Sequence, residues 1–431
     1  MTQLVKRVEP LRALLYNQDR IGDLREVVAP PYDLIGADRQ NELYDRSPYN
    51  IVRLELGRED DRYAASAATL ARWRAEDILR VSARPAIYLY TQLFEVGGRK
   101  LKRDGLVVRV RLEDFSPGRI LPHEKTFPAA KADRLRLLTA LDTNVSSIFG
   151  LYSGTHTELD ALIGSASTRA PLANVVDDLG IQNELRAIEA PEEIGAVQNA
   201  LETSLILIAD GHHRYETALN YRKLRRTADG DSLTLRSYDY TLMTLVARDS
   251  PGLVILPTHR VVKQLDANAL ASFEDRAREV FEVEEFDDRD RMRAELTRRG
   301  RGTIGIALRR SRKLWLLRLR DRLALETALP QTPPVVRELD VSTLHALVFD
   351  RIFGVRPDAI KAGGNLEYSI DAEGALEAVA SGRADGAFLM NPPSIEDVQQ
   401  VSDSGATMPE KSTYFYPKLI TGLFMNPLDV D

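Results

Sequence analysis

The chain has 431 residues, 44% of them hydrophobic and 28% charged, with a formal charge of −6 and no cysteine. At ~100–200 residues per domain such a length implies two or more packed units, and the missing cysteines exclude disulfides, thiolate catalysis, cysteine-bound zinc and iron–sulfur clusters. The negative balance argues against nucleic-acid binding and leaves a small anion as the expected partner, wherever basic residues converge.

The opening MTQLVKRVEP lacks the apolar centre of a signal peptide, and no run approaches the ~18 apolar residues of a membrane span. A cytoplasmic location with no membrane partner is expected. Residues 1–60 are irregular, punctuated by VAPPYD from Val28 and SPYNIVRLELG from Ser47, whose prolines favour turns and edge strands. Tyr63, Ala67, Leu70, Trp73 and Ile78 recur at helical spacing, predicting one amphipathic helix. AIYLYTQLFEV and KLKRDGLVVRVRLEDF, joined at Gly97-Gly98, predict a β-hairpin.

The loop LPHEKTFPAAKADRLRLL ends as a helix carrying Leu135, Leu137 and Leu138, and VSSIFGLYS is a short strand. LETSLILIAD then reads as a buried strand, and GHHRYETALNYRKLRR as a helix with Tyr215, Ala218, Leu219 and Arg222 on adjacent turns. Strand, tight turn and helix is the inferred order. Further strands are predicted at YTLMTLVARD and GLVILPTHRVV. From about 265 to 330 the pattern is helix, strand, helix, strand, strand, an apparent insert. LPQTPPVVRELD is a proline-rich return, Ser342 to Phe353 resumes a helix, and the last stretch alternates strand and helix twice.

Two phosphate-loop patterns fail on context. Gly300 to Gly305 matches G-x-G-x-x-G but follows a helix and enters a strand, the reverse of a dinucleotide site. Gly405 to Ser412 resembles a Walker A loop, yet Glu410 replaces its second glycine and Pro409 stiffens it, so the cradle of amides cannot form.

DGHHRYETAL, from Asp210 to Leu219, is different. Gly211 stands where a strand turns sharply into a helix whose first amides carry partial positive charge. Arg214 grips phosphate bidentately, and His212 or His213 is a donor or proton carrier near neutrality. Each of these residues alone has an ordinary structural alternative: Asp210 as a cap, a histidine as a bonded core group. A histidine-bound metal is disfavoured because adjacent helical histidines point about 100° apart. Mg²⁺ arriving with a phosphate substrate needs only one or two carboxylates, and Asp210 is its candidate ligand.

Lysine supplies only eleven of the 58 basic residues, and Lys125, Lys131, Lys411 and Lys418 fall in two short polar segments. In LPHEKT, His123, Glu124, Lys125 and Thr126 precede Lys131, Asp133 and Arg134; a carboxylate between His and Lys is a reasonable general base for a hydroxyl. In MPEKSTYFYPKL, Lys411, Ser412, Thr413 and Lys418 surround three aromatics that read as packing.

VAPPYD, SPYN, LPHEKT, KADRLRLL, DGHHRYETAL, FLMNP and MPEKSTYFYPKL, in this order, resemble the bacterial family catalogued as domain of unknown function 1015. The DGHHR turn itself resembles the central motif of the ParB/sulfiredoxin superfamily, which includes free-serine kinases and uses this turn to hold nucleotide phosphates. That resemblance implies donor binding by Gly211, His212, His213 and Arg214, with Asp210 orienting the turn or a metal. Sulfiredoxins place a reactive cysteine where His212 stands, so peroxiredoxin repair is excluded. ParB proteins add a basic DNA-binding helical module not seen in this chain.

The expected fold is α/β (α+β): a ParB/sulfiredoxin-like mixed-sheet catalytic core, an inserted small α/β domain and a C-terminal βαβα segment, divided as 1–262, 263–332 and 333–431. The expected activity is phosphorylation of the hydroxyl of a small metabolite, free L-serine first, by pyrophosphate, ATP or ADP. Lys125, Lys411 and Lys418 join the turn in neutralising the donor, Glu124 takes the hydroxyl proton, and His123, Asn50, Arg134, Ser412 and Thr413 surround the acceptor. The alternative is a non-catalytic nucleotide-binding regulator using the same residues. Sequence leaves the oligomeric state open.

Overall fold

The computed structural model describes residues 6–430 apart from Pro117, Thr155, 231–233 and 357–363. Its chain forms two compact units, Met1–Pro122 with Thr126–Val254 and Pro417–Asp431, and His123–Lys125 with Ile255–Tyr416.

The first unit is built on a nine-stranded sheet. Its strands are β1 (Val8–Glu9), β2 (Ile87–Val96), β3 (Arg99–Arg111), β4 (Ile120–Leu121), β5 (Ile148–Tyr152), β6 (Ala173–Val176), β7 (Gln182–Ile188), β8 (Ile206–Asp210) and β9 (Tyr240–Ala247). The β2–β3 hairpin turns at Gly97 and Gly98, both at positive φ of 58° and 75°, which glycine adopts without steric cost. Strands run in the order β4-β8-β5-β9-β3-β2-β7-β6, with β1 alongside β3. β8 is parallel to β4, β9 is parallel to β5, and the other pairs are antiparallel.

Helix α1 (Arg62–Ala75) starts at an Asp61 side-chain cap and buries Leu70 and Trp73, as their spacing predicts. Helices α2 (Pro128–Leu141) and α3 (His212–Asp229) follow in chain order. Leu106, Val108, Ile148, Ile206, Ile208, Met243 and Leu245 of the sheet pack with Tyr215, Ala218 and Leu219 of α3. At ~25 cal/mol per Å² of apolar surface removed from water, this packing supplies the main force holding β8 and α3 at a fixed angle.

The second unit carries a six-stranded, wholly antiparallel sheet of β10 (His259–Val262), β11 (Phe281–Phe286), β12 (Thr303–Leu308), β13 (Leu314–Leu319), β14 (Leu366–Ser369) and β15 (Gly386–Leu389). Its order is β11-β13-β12-β15-β10-β14. Helices α4 (Arg289–Arg299) and α5 (Ala372–Ala380) contribute Met292, Leu296, Ala375, Leu376 and Val379 to one apolar cluster with β12, β13 and β15. Helix α6 (Ile395–Asp403) begins at a reciprocal Ser394/Asp397 cap.

The chain is thus a mixed α/β protein whose larger sheet is mixed parallel and antiparallel. The compact units follow the sheets and not the boundaries drawn from the sequence. Gly305 of β12 pairs with Leu389 of β15, so strands assigned to an insert at 263–332 and to a C-terminal segment share one sheet. Gly300 closes α4, its N–H donating to Leu296 O, before the chain enters β12; the G-x-G-x-x-G there is a helix stop. No helix among the described residues is long and apolar enough to cross a membrane.

Candidate functional site

Strand β8 is buried from Ile206 to Ala209 and emerges at Asp210. Its pairing with β5 slips between Ile208 and Asp210, a bulge that re-aims the final side chain. Gly211 follows at φ 95° and ψ 28° as the first residue of the helix start, and Tyr215 N–H donates to its carbonyl. This is the left-handed region that favours glycine. A Cβ at this position would also lie 3.0 Å from Arg214 Nε. Glycine is therefore needed twice, for the turn and for the guanidinium lying against it.

Arg214 donates through Nη2 to Asp210 Oδ2 at 2.9 Å and through Nη1 to Ser147 O. Lys418 Nζ donates to the other carboxylate oxygen, Oδ1, at 2.9 Å. Lys418 is delivered by a segment fastened to the hairpin: Gln92 Nε2 donates to Lys418 O at 3.1 Å, and Arg103 donates to Pro417 O. One carboxylate thus fixes two cations at the positive end of an 18-residue helix. The local charge favours an anion.

His212 is buried in the first turn of α3. His213 Nε2 accepts the Phe127 N–H at 2.9 Å, and the two rings stack with 5.9 Å between centroids. A ring nitrogen that accepts carries no proton, so neutral His213 holds its proton on Nδ1. Glu216, one turn on, accepts from Thr126 Oγ1 at 2.7 Å and Lys131 Nζ at 2.6 Å. Residues 126–131 are clamped across the first turn of α3 by these bonds. The sequence offers Glu216 only as a metal ligand one helical turn from His212; its hold on Thr126 and Lys131 carries no local signal.

Within the second unit, the LPHEKT and MPEKST motifs come together. Met408 N–H donates to His123 O at 2.7 Å, His123 Nε2 meets Thr413 Oγ1 at 2.9 Å, and Glu124 Oε1 accepts the Lys411 N–H at 2.6 Å. Lys411 adopts φ 53°, a strained left-handed turn that aims its N–H at Glu124. Ser412 is buried and donates to Pro409 O within its own loop. Lys125 is exposed.

Sequence reasoning missed Arg260 beside this cluster. Its guanidinium is 1% exposed and donates to Thr258 O through Nη1 and to Lys411 O at 3.1 Å through Nη2. Burial pushes its pKa down to about 10. One arginine inside the strand HRVV gave no periodic signal.

Asn50 and Arg134 hold framework instead of acceptor. Asn50 is fully buried, donating to Glu26 O and Val28 O and accepting from Val52 N–H. Arg134 donates to Glu55 O and Asp133 and lies 4.1 Å over the Tyr32 ring. It also borders, with Arg214, Glu55 and Thr217, a cavity of about 50 Å³. Both Asp210 oxygens, the expected Mg²⁺ ligands, accept from cations, and no group of three or more His, Asp or Glu side chains suited to a metal occurs among the described residues.

Comparison with proteins of curated function finds no match. Among solved structures, similarity extends to a free serine kinase variant in complex with ADP, at 14% identity and TM-score 0.36, covering 72% of this chain and 87% of that one. It extends also to SbnI with C-terminal truncation from Staphylococcus aureus (12%, TM-score 0.35, 75% and 90%) and a conserved hypothetical protein from Pyrococcus furiosus (13%, TM-score 0.34, 73% and 92%). The family model described as protein of unknown function DUF1015 matches residues 8–342, and with this match over most of its length the chain belongs to that family.

Proposed function

We propose that this protein is a phosphotransferase acting on the hydroxyl of a small metabolite, free L-serine, with pyrophosphate, ATP or ADP as donor. The observation that carries the reading is the β8–Gly211–α3 turn, where Arg214 and Lys418 flank a helix N-terminus around Asp210. Phosphoryl transfer asks a protein for positioning and charge neutralisation more than for covalent chemistry, and this turn offers both. The donor's phosphates take the place beside Arg214, Lys418 and the leading amides of α3, while Asp210 keeps the two cations from swinging away. His213 and Glu216 set the 126–131 loop. In the proposed step the serine hydroxyl oxygen bonds to the terminal phosphorus as the bond to the departing phosphate, ADP or AMP breaks, and Glu124 is the proposed base for the hydroxyl proton.

A donor-by-acceptor screen read by phosphorus NMR tests this, with ATP, ADP and pyrophosphate against serine, threonine and homoserine. O-phosphoserine is the expected product, and Glu124→Gln should abolish it while donor binding survives. No phosphoserine from any donor would overturn the serine assignment. Donor binding without turnover on any acceptor would replace the kinase with a nucleotide sensor.

A further inference from the structure

A cavity of about 390 Å³ lies wholly within the second unit, where β12 begins and β13 ends. Small-molecule sites measure ~300–1,000 Å³, so it has room for a whole metabolite. Five arginines line it, Arg301, Arg318, Arg320, Arg322 and Arg337, against three carboxylates, Glu326, Glu338 and Asp340. Leu319 and Leu325 add an apolar wall, which the methylene stems of the arginines extend.

The three carboxylates leave the arginines under-neutralised. Glu338 Oε1 lies 3.4 Å from Arg322 Nη1, and Glu326 Oε1 lies 3.7 Å from Arg337 Nη2. Asp340 stands beside Arg301 and accepts the Gly302 N–H at 2.8 Å, while Arg301 Nη1 donates to Asp397 at 2.6 Å, outside the cavity lining. Arg320 Nε donates to Phe281 O at 2.9 Å, and its two terminal nitrogens make no hydrogen bond among the described residues. Arg318 faces Glu282 across the β11–β13 ladder, yet its side chain forms no ion pair among the described residues. Cations gathered around one concavity repel one another and focus a positive potential into it. An anion entering there relieves that repulsion.

We infer that this cavity binds an organic phosphate, its phosphoryl group met by Arg320, Arg322 and Arg337 and its body lying along Leu319 and Leu325. The lining carries two more positive than negative side chains, which answers the charge of about −1.5 to −2 on a phosphate monoester, and guanidinium forks grip phosphate oxygens in pairs. The volume is far more than one phosphate group fills, so the ligand has a body as well as a charge. The site is built from residues of the second unit alone and does not rest on the phosphotransferase reading.

Isothermal titration of the full chain with phenyl phosphate, phenol and inorganic phosphate separates the two halves of the ligand. Phenol should bind at least about tenfold more weakly than phenyl phosphate, the factor expected for losing one charge-assisted hydrogen bond, and inorganic phosphate a few-fold more weakly for want of the apolar contact. Arg320→Ala/Arg322→Ala changes two exposed side chains and should bind one equivalent of phenyl phosphate fewer than the wild type, whether or not the DGHHR turn takes a phosphate of its own. Arg322→Glu alters a side chain that is 79% exposed, so it tests the site without risk to folding; it should weaken the same equivalent about tenfold. Gly211→Ala, at the turn, should leave this equivalent in place. Equal stoichiometry and affinity in the wild type and both arginine variants overturns the site, and so does loss of all phenyl phosphate binding in Gly211→Ala or no binding to the wild type at millimolar concentration. If the arginine variants lose the equivalent and no donor yields phosphoserine, the activity is wrong and the site stands.

Discussion

In the first unit the cations around the DGHHR turn answer to carboxylates: Arg214 and Lys418 to Asp210, Lys131 to Glu216. In the second, Arg260 donates to backbone carbonyls, lies over the Tyr368 ring and leaves its Nε–H without a hydrogen bond. A paired cation is held in place at modest cost and yields to a ligand only by competition, whereas an unpaired buried one gains the whole interaction when an anion arrives. The first arrangement suits a donor that must come and go in a fixed orientation.

Breaking the first arrangement should have the largest effect. Gly211→Ala imposes a left-handed backbone on a residue with Cβ and pushes that carbon against Arg214. Misplacement by about 1 Å costs on the order of 100-fold in rate, so single-turnover phosphoserine formation should fall by that factor. Wild-type turnover in this variant would show that the pose of Arg214 is not what the first unit contributes.

The second arrangement can be probed through pH. Burial pushes His259 down to about 4, where its Nδ1 accepts the Met390 N–H, and His345 to about 3; the charge of Arg260 adds to both shifts. These rings stay neutral in the folded chain while the unfolded chain protonates them near the ordinary ~6.5. Their contribution is therefore complete above that value and lost as pH falls toward 4 and 3, at about 1.4 kcal/mol per ring per pH unit. Asp340 acts in the opposite sense. Its raised carboxyl gains stability as pH falls through about 6, so it offsets part of the loss above pH 4. Urea titrations from pH 7 to pH 5 should show a net decrease that His345→Phe makes shallower.

Smaller effects sharpen the contrast. Asp210→Asn removes the carboxylate shared by Arg214 and Lys418, making the turn more positive and less ordered. Pyrophosphate should bind a few-fold tighter by calorimetry while kcat falls, a split that loss of folding would not produce. Asp340→Asn, by deleting a charge that burial disfavours, should raise stability at pH 7 by about 1 kcal/mol. A denaturant midpoint that falls instead would mean the Gly302 N–H depends on the full carboxylate.

Legibility from sequence followed the range of the interactions. The hairpin at Gly97-Gly98, helix α1 and the strand-turn-helix at 206–229 were readable because each is specified by its own periodicity and turn residues. The grouping into units was not, because the pairing of β12 with β15 joins residues about eighty positions apart and local pattern says nothing of strand partners. The same limit applies to chemistry. Asp210 to Arg214 stand together in the chain and were found; Glu124 and Lys411 were each flagged, but their bond was not; Asn50 and Arg134 sit in polar segments and serve the framework; Arg260 is one polar residue in an apolar run.

The attachment of Lys418 to Asp210, 208 positions away, has a consequence for synthesis of the protein. The last strand of the large sheet ends at Ala247, yet the second cation of the turn, and the Asn426–Asn144 pairing that anchors its segment, emerge only after the entire second unit has been translated. A nascent chain can therefore assemble the sheet but not the finished anion turn. On the proposed reading, half-made molecules would bind donor weakly, and the final stretch of polypeptide to dock would complete the turn.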